Sequence, residues 1–517
     1  MKQKIQSILF ILLLSGAGCK NSEPKYPVSP ANAEADSFLM ETKPFKIGAE
    51  TYRADFGTIA VKENRSKSTS RIIHIPFLRI QSKSKNPAEP IFGLSGGPGQ
   101  SNMQWDWDFA TAFLSERDFV LVGYRGVDGS TQLDCPEVRK ALKGGNDLMR
   151  EESIKAIGRA WRAASKRIEE QGVDLDGYTM IECIEDNESV RKALNYKRIN
   201  LLSGSYGTRV AYLYGLKHPG SIFRSAMIGV NPPGRFVWEP QVIDRQLKHY
   251  ANLWSNDSVR SETCPDLYAT MQHVLTAMPR RWLFLPIDPG KVKVITFFLL
   301  FHRNTAAQAF DAYLAAERGD PSGLAMMSLA YDYMLPSLMT WGDLASKGVS
   351  ADFDSTRNYV NEMDLSGLPL GSPMSKLLWA PFNFGAWPIK QIPEEFRNPQ
   401  PSEVETLLLS GSVDFSTPAE LATKELLPYL KNGKQVIFSE YGHVGDLLQV
   451  NMQNTRLILS SFYHTGVPDT SMNTYIPMDF NVKWGFPVIV KLAFGGIALL
   501  GIGLIVVMVW LFMRKIR

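Results

Sequence analysis

A serine hydroxyl is a poor nucleophile at neutral pH unless a base lies within hydrogen-bond reach and a third group orients that base. The segment Ser203-Gly204-Ser205-Tyr206-Gly207 offers such a serine. It follows the apolar run Ile199-Asn200-Leu201-Leu202, which reads as a strand, and precedes a helical pattern starting near Thr208. A serine on a sharp strand-to-helix turn needs small residues two places before and two places after it, because the backbone there is crowded. Ser203 and Gly207 meet that need, with one hydroxymethyl group where glycine is usual. A motif this short is weak by itself, and its strand-turn-helix setting is what raises it.

An acid and then a histidine are expected downstream, each just after a strand. Asp414 stands in GSVDFSTP after the run ETLLL, and His443 stands in EYGHVG after QVIF. A single aspartate after a strand is more often a turn former, and a single histidine is usually structural. Three such residues in this order and context set these apart. The chemistry they imply is acyl transfer to water through a Ser205 ester, with His443 as base then acid and Asp414 fixing its tautomer. The oxyanion formed on the attacked carbonyl also needs preorganised donors. Ser95-Gly96-Gly97-Pro98-Gly99 follows the strand-like IFGL, and the Gly97 and Tyr206 N–H groups are assigned to the oxyanion hole. The alternative for that segment is an ordinary surface turn.

Positioning these groups calls for strands that end together. Short apolar runs at IIHIPFLRI, PIFGL, FVLV, INLL and AMIGV alternate with helical stretches such as ESVRKALNY. That alternation predicts an α/β fold with a mostly parallel sheet and right-handed crossovers. The cadence lapses at about residue 240, where helical patterns take over, and resumes near residue 401. The predicted organisation is therefore core over 45–240, an inserted helical cap over 241–400, and core again over 401–467.

Both ends carry targeting signals. Lys2 and Lys4 precede an apolar stretch and the small residues Ser15-Gly16-Ala17-Gly18, which is the order of a secretory signal over 1–19. Cys19 directly afterwards is a candidate for lipidation, ordinary cleavage near Ala17 being the alternative. A polar tether is expected over 20–44 and a linker over 468–491. Residues 492–513 carry no charge and are long enough for a transmembrane helix, while Arg514, Lys515 and Arg517 follow it. The positive-inside tendency then predicts export, with the chain anchored in the bacterial cytoplasmic membrane and the catalytic body facing the periplasm or cell exterior.

The 517 residues are 44% hydrophobic and 21% charged, an ordinary globular composition. The 56 basic residues are spread along the chain, so nothing points to nucleic acid. No CxxC, HxH or HExxH spacing occurs, and neither a metal nor another cofactor is expected. After export Cys135, Cys183 and Cys264 remain; in an oxidising compartment one pair is expected to bridge, with Cys135 to Cys183 preferred.

The segments GLSGGPGQS, VGYRGVDGS followed by LDCP, SGSYGT, SGSVDFSTP and EYGHVG resemble the proline iminopeptidase and tripeptidyl aminopeptidase branch of the α/β-hydrolases. They occur in the family's order from about Pro90 to Gly445. Ser95 replaces the usual histidine of HGGPG, Gly123 replaces an aspartate, and Arg125 and Gly126 are retained. The resemblance implies a helical cap that holds the substrate's free amine with acidic side chains. Glu239 is the nearest candidate for substrate binding, though a surface glutamate is the plainer reading of it. The apolar run ITFFLLF (295–301) in the cap suits core packing, a hydrophobic side-chain pocket or an acyl pocket. The expected substrate is thus a peptide or an ester. An aminopeptidase is favoured, a carboxylesterase or lipase-like hydrolase comes second, and a non-enzymatic binding protein on this fold comes last.

Overall fold

The computed structural model describes residues 26–516 except 31, 146 and 386; within the last helix, the side chains at 497, 498, 500–506, 509 and 512–516 are outside the description. Eleven strands are described: β1 Phe38–Ile47, β2 Glu50–Lys62, β3 Ile72–Ile80, β4 Ala88–Leu94, β5 Arg117–Val122, β6 Ile199–Gly204, β7 Ile222–Ile228, β8 Arg281–Trp282, β9 Leu285–Pro286, β10 Glu405–Gly411 and β11 Gly433–Phe438. Nine of them form one sheet in the order β1-β2-β3-β5-β4-β6-β7-β10-β11, and β8 and β9 make a separate hairpin. The first three strands and β5 pair antiparallel, and from β5 onward every pairing is parallel. The central strands β5 and β6 are buried at every position, as strands covered on both faces must be. One apolar cluster fills each face of the sheet, the larger extending among the helices between β7 and β10.

The helices that frame the site and the body are α1 Glu151–Glu170, α2 Met180–Ala193, α3 Tyr206–Lys217, α4 Pro240–Asn256, α5 Pro289–Leu299, α6 Arg303–Glu317, α7 Ser322–Met334, α8 Trp341–Asp352, α9 Val444–Gln449, α10 Met452–Thr465 and α11 Phe486–Ile516, with shorter ones between them. Helices α4 to α8 lie between β7 and β10, where the strand cadence lapses. Asp288 caps α5 by accepting from the Lys291 N–H, with Pro289 at the first helical position, where its missing N–H costs nothing.

Several expectations about the segments change. Residues placed in the N-terminal tether form β1, which begins at Phe38 and pairs along its length with β2. Upstream of it Thr58 Oγ1 donates to the Pro27 carbonyl at 2.7 Å, so the chain is tied to the sheet before the strand starts. The stretch expected as a linker is docked as well: Met478, Phe480, Phe486 and Val490 are buried. Its apolar side chains had a face to cover, and burying each is worth about 1.5–3 kcal/mol.

The expected membrane span falls on α11, which starts before it at Phe486. Among the described residues no helix is long and apolar enough to cross a membrane, so the structure lends that span no support. The signal over 1–19 and Cys19 lie outside the described residues. The expected Cys135–Cys183 bridge is absent, and Cys135, Cys183 and Cys264 are all free thiols. Cys135 precedes a short helix after β5 and Cys183 lies within α2, each enclosed in apolar packing.

Candidate active site

Ser205 occupies the turn between β6 and α3 with φ +52° and ψ −123°, a conformation that costs a non-glycine residue about 1–3 kcal/mol. Surrounding bonds hold it there. The Ser205 N–H donates to the Ile228 carbonyl at 2.9 Å, and Thr208 donates its N–H and its hydroxyl to the Ser205 carbonyl at 2.9 and 2.6 Å. Crowding on both sides explains the small neighbours. A Cβ on Gly207 would lie 2.1 Å from the Leu94 carbonyl oxygen, so only glycine lets α3 rest on the end of β4. Ser203 is buried, and its hydroxyl donates to the Ala226 carbonyl at 3.1 Å.

Asp414 and His443 come together on adjacent loops. The Asp414 turn follows β10 and is fully buried. Its Oδ1 accepts the N–H groups of Ser416 and Thr417 at 2.9 and 2.8 Å. Its Oδ2 accepts the Thr417 hydroxyl at 2.8 Å and faces His443 Nδ1 at 2.8 Å. The two loops pack backbone to backbone: a Cβ on Gly411 would meet the Tyr441 carbonyl oxygen at 2.1 Å. Gly229, just beyond β7, would carry its Cβ 3.0 Å from His443 Cε1. Because the Ser205 N–H binds the Ile228 carbonyl, the imidazole lies one residue from the backbone that holds the Ser205 turn. Among the described residues no hydrogen bond joins the Ser205 hydroxyl to His443; such bonds often tighten only when substrate is bound.

Gly96 lies directly over Ser205, since a Cβ on it would fall 2.6 Å from Ser205 Cβ. Gly97 follows at φ +83°, which glycine adopts without strain. The N–H groups of Gly97 and Tyr206 have no acceptor among the described hydrogen bonds, and Tyr206 opens α3, where the helix dipole favours negative charge. Ser205, Gly97, Asp414 and His443 all follow the carboxyl ends of sheet strands, the edge where open α/β sheets bind ligands.

Residues without a sequence motif hold this edge in place. Asn102 is fully buried, accepts the Ser95 N–H at 2.6 Å, and donates to the carbonyls of Gly93 and Val122 at 3.0 and 2.8 Å. Asp343 on α8 accepts the Gly99 N–H at 2.8 Å and pairs with Lys347 one turn on, both fully buried. Asp446 accepts the N–H groups of Gly442 and Arg303 at 2.8 and 3.0 Å, and Phe301 accepts the His443 N–H at 2.6 Å. Asp446 stands three residues beyond His443, which was a usable signal; the buried pair on α8 gave none.

Arg125, kept from the family motif, lies behind the site. It is fully buried and donates from Nε and Nη2 to the two oxygens of Asp186 at 2.7 and 2.6 Å. Burial alone would raise the Asp186 carboxyl, but the Arg125 and Arg65 guanidiniums hold it below the usual carboxylate range. Gly123 has no room for the aspartate it replaces, because a Cβ there would meet Asp128 Cβ at 2.7 Å.

Glu239 lies in an ion pair with Arg357 of the cap. Its carboxylate accepts from both Nη atoms of Arg357 at 2.8 and 3.0 Å, and Arg357 also donates from Nε to Glu362 at 2.7 Å. The run 295–301 packs the site: Phe297 is fully buried against Trp238 and Phe415, and the ring of Phe301 stands 5.3 Å from that of His443. Phe298 and Phe301 keep partial exposure.

Residues 89–328 match the α/β-hydrolase fold family. A tripeptidyl aminopeptidase from Streptomyces lividans is 26% identical over 209 residues, covering 37% of this chain, and one from Streptomyces coelicolor matches to the same extent. The matched stretch spans 38% of the length of these curated relatives. Among solved structures, MGS-M2, an α/β-hydrolase from a Medee basin deep-sea metagenome, is 12% identical with a TM-score of 0.37, over 77% of this chain and 97% of that one. An esterase from Exiguobacterium antarcticum is 12% identical with a TM-score of 0.35, over 78% and 98%. The family and sequence matches bear out the α/β-hydrolase reading and the likeness to tripeptidyl aminopeptidases.

Proposed function

We infer that this α/β-hydrolase is a serine hydrolase acting as an aminopeptidase, which releases N-terminal residues or short peptides through an ester on Ser205. The observation that carries the reading is the 2.8 Å contact of His443 Nδ1 with the buried Asp414 carboxylate, one loop away from the strained Ser205 turn. With Nδ1 donating to Asp414, Nε2 is the nitrogen left to accept the Ser205 proton. Ser205 Oγ adds to the scissile carbonyl while its proton passes to Nε2, and the oxyanion is received by the Gly97 and Tyr206 N–H groups. The C–N bond then breaks, the leaving amine takes the proton from His443, and water repeats the sequence on the ester.

Peptides as substrates are supported by the stretch shared with the Streptomyces tripeptidyl aminopeptidases. A carboxylesterase or lipase-like hydrolase is the second reading. It is favoured by the half-buried Phe301 beside His443, with Phe298 packed on Phe301, and by the engagement of Glu239 with Arg357. A binding protein without activity would have no use for the buried and bonded Asp414.

A fluorophosphonate probe should label Ser205, and Ser205→Ala should abolish labelling and lower turnover by about 10⁴-fold or more. Peptides with free and acetylated N-termini then separate the two readings. Equal cleavage of both, or turnover of esters alone, removes the aminopeptidase. The expected export and membrane anchoring through residues 492–513 belong to the same proposal and rest on the sequence. A body that protease cannot reach in intact spheroplasts would overturn that orientation.

A further inference from the structure

The β8–β9 hairpin projects from the cap with its two turn residues bare: Leu283 is 62% exposed and Phe284 is 75% exposed. Leu283 also sits at φ +51°, the first central position of a two-residue turn, where glycine is the residue of choice. A leucine there is unfavourable twice over, strained in its backbone and wet in its side chain. Glycine would form the same turn without strain, so the side chain is what the position supplies.

The surroundings show what the tip faces. The rings of Trp282 and Phe284 stand 5.5 and 5.4 Å from that of Phe494, a partly buried residue of α11. Along the same segment Trp484, Val488 and Leu492 are 57%, 44% and 58% exposed. Two arginines precede the tip. Arg280 pairs with Asp147, and Arg281 is exposed with no acidic partner among the described residues. Aromatic and aliphatic side chains at a tip, backed by cationic ones, match the boundary between lipid headgroups and acyl chains, where apolar groups bury and arginine meets lipid phosphate.

We propose that the β8–β9 hairpin is a second membrane contact, its Leu283-Phe284 tip dipping into an anionic lipid surface beside α11. The inference rests on the proposed anchor for its geometry and is independent of the reaction. Two contacts instead of one fix the tilt of the body, so the mouth of the site keeps one orientation to the membrane.

The test uses the full chain in vesicles containing phosphatidylglycerol, with a nitroxide on Phe284→Cys and, for comparison, on Leu39→Cys of the edge strand β1. Both labels are placed in a Cys19→Ser chain, and that chain without further substitution, whose Cys135, Cys183 and Cys264 are buried, gives the background. The Phe284 label should be several-fold more accessible to oxygen than to a water-soluble nickel complex, and the Leu39 label the reverse. Adding Arg281→Glu should move the Phe284 label toward water. Protein on the vesicles with both labels in water would overturn the hairpin contact alone. Protein that does not associate with the vesicles would overturn the contact and the anchor together, whatever the result with the fluorophosphonate.

Discussion

The Ser203 hydroxyl donates to the carbonyl of Ala226 on the neighbouring strand at 3.1 Å, turning the side chain at this motif position away from Ser205 and into the sheet. The hydroxymethyl group that departs from the usual glycine therefore fills space that β7 leaves for it. Ser203→Gly should keep fluorophosphonate labelling within about threefold while costing about 1 kcal/mol of stability, the worth of one buried hydrogen bond. Ser203→Leu should abolish labelling, because the extra atoms have only packed backbone to enter. Labelling rates and thermal melts of both variants check this.

Gly207 is constrained by backbone rather than by a side chain that could swing aside. Gly207→Ala would place Cβ 2.1 Å from the Leu94 oxygen, forcing α3 off the end of β4 and moving Gly96 from its seat on Ser205. A loss of about 3 kcal/mol in urea unfolding, with loss of labelling, is expected. Gly215, on the same helix, has its nearest neighbour at 3.4 Å, and Gly215→Ala should be neutral or stabilising by up to about 1 kcal/mol.

The parts of the fold legible in the sequence were those with local causes. A parallel strand buried on both faces needs a continuous apolar run, so β6 and β10 announce themselves, and Ser205, Asp414 and His443 stand at their expected strand ends. β1 was missed because nearly all of it is exposed and its sequence FLMETKPFKI mixes charges with apolar residues. Its pairing with β2 is a hairpin closed by Gly48-Ala49, whose only local mark is the glycine. Asn102, Asp343 and Lys347 were invisible for a related reason: the four-residue spacing of Asp343 and Lys347 occurs on any exposed helix face, and neither the burial of that pair, nor the reach of Asp343 to the Gly99 N–H 244 residues away, nor the Asn102 bridge between β4 and β5 has a local signature. Glu239, a candidate from chain position alone with a surface glutamate as the plainer reading, lies against Arg357, a partner no motif announces.

That pairing gives a direct prediction. Glu239 and Arg357 are each about a quarter exposed, so the pair contributes about 1 kcal/mol or less. Glu239→Gln should reduce stability by no more than that and leave the ratio of free-amine to acetylated peptide turnover unchanged. A collapse of that ratio would restore Glu239 as an amine-binding residue.

The thiols test the packing independently. Burial pushes Cys135 up to about 12 and Cys183 up to about 11, so neither holds appreciable thiolate at neutral pH. Iodoacetamide should leave Cys135, Cys183 and Cys264 unmodified in the folded protein and alkylate all three after denaturation, with or without prior reduction. Peptide mass mapping reads the result, and alkylation that depends on a reductant would establish a bridge.

The buried Arg125–Asp186 pair should govern acid stability. The Asp186 carboxyl lies lower in the folded chain than in the unfolded one, so below the ordinary carboxylate value of about 3.9 the unfolded state binds the extra proton. The pair's contribution is therefore complete above that value and is lost as pH falls through the depressed folded value. Asp186→Asn leaves two guanidiniums, Arg125 and Arg65, to share the single carboxylate of Glu182, 3.2 Å from Arg125 Nη1, and should cost about 3 kcal/mol near neutral pH. In urea unfolding at neutral pH and again at the lowest pH where the unsubstituted protein stays folded, the gap between it and Asp186→Asn should narrow at acid, since the unsubstituted protein alone loses the pair. A gap that stays constant would mean that Asp186 releases no proton-linked stability, and that Arg125 is held by the carbonyls of Glu63 and Gly177 instead.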